Sequence, residues 1–126
     1  MLQLIFHLIG DYVTQSDWMA QNKTKSTWAA FCHASVYSLP FLMIASWSAW
    51  LVIWGTHLLI DRFRLARFVV YAKNFLGSPS TWHPWSECMG TGYHKDTPPF
   101  LAVWLMIAAD NTLHLAINYL SISCLL

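Results

Sequence analysis

Long apolar runs separated by short polar stretches divide the chain into four predicted helices. The first covers about residues 1–19 and ends in the polar stretch QNKTKS. The second covers about 27–45 and contains Pro40, which a membrane helix tolerates when its neighbours satisfy the freed carbonyl. The third starts near Trp47 and continues to about Phe75, where Gly77, Ser78 and Pro79 break it. A polar loop rich in Trp, Pro and Gly follows. The fourth helix opens at Pro98-Pro99, with proline in the first turn where its missing N–H costs nothing, and ends near Leu120. A bilayer span takes roughly 20 apolar residues. The second and fourth runs meet that length, and the first is short and interrupted by polar residues. The third is apolar only to Ile60, then turns amphipathic over DRFRLARFVVYAK, a pattern expected at a membrane surface. The expected fold is therefore an all-α membrane protein, a four-helix transmembrane bundle forming one domain over residues 1–126.

Composition supports this picture. The chain is 56% hydrophobic and 10% charged, against about a quarter charged in soluble domains. Its eight Trp and five Tyr suit the water–lipid boundary. All 7 Lys and Arg (Lys23, Lys25, Arg62, Arg64, Arg67, Lys73 and Lys95) fall on one side of a four-pass topology. The positive-inside rule then places both termini on the outer face, the periplasmic side in a bacterium. The first apolar run lacks a basic leader and is interrupted by His7 and Asp11, so it is read as a helix and not as a cleaved signal. A net charge of +1 supplies no basic face for nucleic acid. Cys32, Cys88 and Cys124 are odd in number and widely spaced, which argues against a disulfide framework or a thiolate zinc site.

The chemistry is concentrated in one repeated spacing. His7 and Asp11, His57 and Asp61, and Asp110 and His114 are each four apart, which puts both members on one helical face a turn apart. His33 stands by itself in FCHASVY. Ionisable groups in lipid are costly, face the interior and mark function. At about 1.5 Å per residue, Asp11 lies about 12 Å before the end of its helix and His33 about 10 Å into the next. Asp61 lies about 20 Å before the third helix ends, and Asp110 about 18 Å into the fourth. All four helices thus deliver polar groups to a similar depth. His7, Asp11, His33, His57, Asp61, Asp110 and His114 form a donor set suited to a divalent metal (zinc, manganese or iron), and seven donors suffice for two adjacent ions. Gln15 and Asn111 flank this set. Asp61 and Asp110 are the candidates for proton transfer. Arg64, three residues beyond Asp61, shares its face if the helix is continuous and would hold a phosphate. His83 and His94, near Glu87 and Asp96, are read as solvated loop residues. The tryptophans are read as interface anchors.

The residues HLIGDYVTQSDWMAQNK, FCHASVYSLPF, HLLIDRFRLAR and ADNTLHL resemble, over nearly the whole chain, a family of small membrane proteins of unknown function found in bacteriophages and bacterial genomes. The resemblance implies a phage or prophage origin and a multi-pass location in the bacterial inner membrane. In the type of constellation alone, the chain is also similar to bacterial membrane-bound metal-dependent hydrolases, which would make the same His and Asp residues ligands. The leading expectation is a metal-dependent hydrolase acting on a lipid-linked or phosphate-containing substrate. A non-enzymatic phage accessory protein, which modifies the host membrane, excludes other phages or joins an envelope assembly, is the alternative, and a proton or ion path is a third. Membrane lipids are the expected surroundings, and self-association or a phage or host membrane partner fits a chain this small.

Overall fold

The computed structural model describes residues 1–125, which are helical with intervening turns and contain no strand. The α-helices are α1 (Leu2–Leu8), α2 (Asp17–Asn22), α3 (Thr27–Ser38), α4 (Trp47–Phe63), α5 (Ala66–Lys73) and α6 (Pro99–Cys124). They fall into two compact units. One comprises residues 1–63 with the chain from His114 onward, and the other Arg64–Leu113.

The helices are shorter than the apolar runs, and each break has a local cause. The first run does not stay helical to residue 19. α1 widens into a π-helical turn at Ile9–Val13, and Ser16 adopts an extended conformation (φ −72°, ψ 159°), its hydroxyl accepting the Met19 N–H at 3.3 Å. This is an N-cap that starts α2. In the second run Pro40 cannot donate the next helical bond, so α3 stops at Ser38 and the chain tightens into a 3-10 segment, Leu39–Met43. The third run is not continuous from 47 to 75. Arg64 takes a left-handed φ of 52° and closes α4 at Phe63, the role glycine usually fills. Only Pro99–Cys124 is then long and apolar enough to cross a bilayer among the described residues, in place of the four expected spans.

In the first unit α3 and α4 form an antiparallel pair. Fully buried alanines at 29, 30, 34 and 49 let them approach closely. The indole N–H of Trp50 donates to the Ser38 carbonyl at 3.0 Å and that of Trp54 to the Ser35 hydroxyl at 3.1 Å, so these two tryptophans fasten one helix to the other. Tyr37, Phe41 and Ile53 form the fully buried core, with Phe6, Ile44, Trp50 and Ile122 against it. Gly10 admits the Tyr37 ring directly onto the backbone, because a Cβ there would overlap Tyr37 Cδ2. Gly10→Ala is expected to lower stability by about 1–3 kcal/mol through this overpacking, read from denaturation in detergent. A variant as stable as the parent would contradict the close approach.

In the second unit the basic residues of α5 and its N-terminal flank organise the loop that follows. Arg64 donates to the Gly90 carbonyl at 2.8 Å, Arg67 to the Met89 carbonyl at 3.0 Å, and Asn74 to the Gly92 carbonyl at 2.8 Å. Phe68 stacks on Trp85 at 4.9 Å. Gly92, at φ 90°, sits where a Cβ would overlap the backbone of Arg67.

Candidate metal centre

His7 of α1, Asp11 of the π-helical turn after it, His33 of α3, and His57 and Asp61 of α4 converge inside the first unit. His33 and His57 point their Nε2 atoms at each other at 3.0 Å. Asp11 Oδ1 lies 3.1 Å from His33 Nε2 and 3.4 Å from His57 Nε2. Asp61 Oδ2 lies 3.1 Å from His33 Nε2 and 3.2 Å from His57 Nε2. One donor atom from each of the four residues lies within 4.8 Å of the other three. All four residues are buried.

These separations have a chemical meaning. Zinc bonds of about 2.0–2.1 Å in a tetrahedron put neighbouring ligand atoms about 3.3 Å apart. Five edges of the Asp11–His33–His57–Asp61 figure measure 3.0 to 3.4 Å. Direct hydrogen bonding serves the same atoms poorly. Each Nε2 carries at most one proton and faces two acceptor-only carboxylates and another ring nitrogen. A divalent cation among them would be met by all four donor atoms at once.

Two further histidines brace the outer oxygens of the two carboxylates. His7 Nδ1 is 3.4 Å from Asp11 Oδ2, and His114 Nε2 is 3.4 Å from Asp61 Oδ1. His7 and His114 thus face the carboxylates from outside the set of four. Tyr37 joins the layers. Its ring stacks on His57 with centroids 3.6 Å apart. Its hydroxyl accepts the Asn118 amide at 2.7 Å and shares a hydrogen bond with His7 Nδ1 at 2.9 Å.

Three of these residues carry no clear functional signature in the sequence. Tyr37 is four residues after His33, and Asn118 four after His114, so both carried the same spacing as the His/Asp pairs but no charge to draw notice. Lys23 carries only a topology signal in the sequence. Its ammonium lies 2.9 Å from Asp61 Oδ2 and 3.4 Å from His33 Nε2, and the residue is about one-fifth exposed. Arg62 holds the Lys23 segment there, donating to the Thr24 carbonyl at 2.9 Å and the Thr27 hydroxyl at 3.1 Å.

The other expected residues are outside this set of four donors. Asp110 is half-buried, a turn before His114, in the stretch of α6 that belongs to the second unit. Arg64 lies beyond the end of α4 and donates to Gly90, so the face it was expected to share with Asp61 does not form. Gln15 follows the break after α1, its Oε1 buried without a hydrogen-bond partner among the described residues. His83 and His94 are half-buried and adjacent, with ring centroids 3.9 Å apart, and are not freely solvated.

No curated protein and no solved structure matches the chain. A family model does, over residues 1–79, a shorter stretch than the resemblance had suggested. That stretch contains all four converging donors and Lys23, and it ends before the long loop and α6. The match covers more than half of the 126 residues, so the chain belongs to the family described as protein of unknown function, DUF3307.

Proposed function

We propose that the chain is a phage- or prophage-borne bacterial inner-membrane protein that binds a divalent metal at Asp11, His33, His57 and Asp61. We further propose that it hydrolyses a lipid-linked or phosphate-containing substrate. The convergence of four buried donors at tetrahedral spacing carries the metal reading, and the one partly exposed ammonium at their edge supports the hydrolytic one. Membrane insertion is supported by α6, whose most apolar window is only 11% buried, and by exposed apolar side chains such as Leu4, Ile5, Leu8, Phe31 and Leu51. In this reading α6 spans the bilayer, the shorter apolar helices enter it in a multi-pass arrangement, and both termini are periplasmic.

A bound divalent ion would supply an acidified water and polarise a phosphoryl oxygen. The protein residues supply the rest. His7 and His114 fix the carboxylates, and Tyr37 fixes the His57 ring. Lys23, in place of Arg64, is the cation positioned to meet a phosphate. Its charge balances one of the two ligand carboxylates, whereas a divalent ion balances both.

One observation favours a second reading. Four protein donors fill a tetrahedron, as in structural zinc sites, whereas catalytic zinc keeps a position open. The cluster would then hold the helices together in a non-enzymatic accessory protein. Lys23→Met separates the two. Under the hydrolase reading it retains metal, binding it more tightly because a competing cation is gone, and loses hydrolysis of a lipid phosphate in mixed micelles. Equal metal content with no metal-dependent phosphate release from either protein would sink the hydrolase and leave the structural site. Absence of stoichiometric metal from both would sink the metal centre itself.

A further inference from the structure

We infer that His83, Glu87 and His94, in the loop of the second unit, form a separate binding site for a divalent transition metal such as zinc. The site goes beyond the buried centre and shares no residue with it. One donor atom from each of the three lies within 4.8 Å of the others. Two imidazoles and one carboxylate are a set known from catalytic zinc sites with an open fourth position. Space for that position exists, because His83 and His94 both line a cavity of about 200 Å³ with Asn74, Thr81, Tyr93 and Thr97.

The loop backbone is fixed from several directions. Tyr71 donates to the His83 carbonyl at 3.0 Å, and the Lys95 N–H donates to the Glu87 carbonyl at 2.9 Å. Lys95 also donates from Nζ to Glu87 Oε1 at 3.1 Å, which leaves Oε2 directed at His94 Nε2, 3.1 Å away. Lys95 foremost, and then His94, holds the Glu87 carboxyl below the usual carboxylate range, so Glu87 is ionised at neutral pH.

His94 has a partner for each of its tautomers. In the Nε2–H tautomer Nδ1 accepts the Asp96 N–H at 3.3 Å and Nε2 donates its proton to Glu87. When Nε2 binds a metal, that proton is released to solvent and one is taken up at Nδ1. The Asp96 carboxylate, 3.5 Å from Nδ1, is in place to accept it. A carboxylate behind a ligand histidine is the usual support of a zinc-bound imidazole.

The test is a cobalt(II) titration of the full-length, detergent-solubilised protein, followed by visible absorption and by bound-metal content. His83→Ala, His94→Ala and Glu87→Gln are expected each to lose one equivalent of bound metal. Asp96→Asn should keep that equivalent with affinity weakened by about 10–100-fold. The His57→Ala protein should still fill the loop site. If the buried centre binds nothing, the wild type holds one equivalent and the loop variants none, so failure of the buried centre leaves the loop site measurable. Wild-type stoichiometry and affinity in both His94→Ala and Glu87→Gln would overturn the inference.

Discussion

Asp61→Asn is expected to weaken metal binding at the buried centre by about 100-fold or more. That is roughly one ligand's share of the 10–16 kcal/mol that a four-ligand zinc site provides. The substitution preserves shape and removes only the charge, so the effect isolates the carboxylate. Asp61 meets Lys23, His33 and His57 through Oδ2 and His114 through Oδ1, and it is 5% exposed. Breaking such a buried ionic contact costs about 3–5 kcal/mol, so the metal-free protein should also melt earlier. Competition with a chromogenic zinc chelator gives the first quantity, and denaturation with and without metal gives the second. Parent-like affinity in Asp61→Asn would remove Asp61 from the ligand set.

The second large effect is expected at Tyr37, which is fully buried. Tyr37→Ala deletes the ring that stacks on His57 and packs on Phe41 at 5.4 Å. Loss of an aromatic of this size from a core costs about 3–5 kcal/mol. Tyr37→Phe keeps the ring but strands the Asn118 amide that donates to the hydroxyl, at a cost of about 1–3 kcal/mol. The two variants should also separate in metal affinity. The Phe variant, with the His57 ring still held in place, should stay within about tenfold of the parent, given the usual effect of partners behind a ligand. The Ala variant should fall further. Equal losses in both would mean that the hydroxyl, and not the ring, holds His57.

The helical character and the His/Asp spacing were legible because the helix period alone puts residues i and i+4 on one face. Placing the pairs in depth then aligned α1, α3 and α4 around His33. The first three apolar runs are not unbroken helices, however, and each carries a local break. The Ser16 cap was readable, since Ser followed by Asp is a common helix start. The break at Arg64 was not, because nothing in an arginine announces a left-handed φ. With that break the presumed pairing of Arg64 and Asp61 is lost, and among the described residues α6 alone is long and apolar enough to cross a bilayer. Lys23 was hidden for a different reason. It reaches Asp61 only because Arg62 holds the 24–27 turn across the end of α4, a tertiary contact with no local signature. The loop histidines were underread in the same way. Their rings meet across a loop whose carbonyls at Met89, Gly90 and Gly92 are held by Arg67, Arg64 and Asn74.

X-ray absorption at the zinc edge, on zinc-loaded His83→Ala/His94→Ala protein, tests the buried centre most directly. The expected spectrum is four nitrogen or oxygen ligands at about 2.0 Å, with the outer-shell scattering of two imidazoles. A six-coordinate oxygen shell without imidazole scattering, or no retained zinc, would contradict a metal centre built from Asp11, His33, His57 and Asp61.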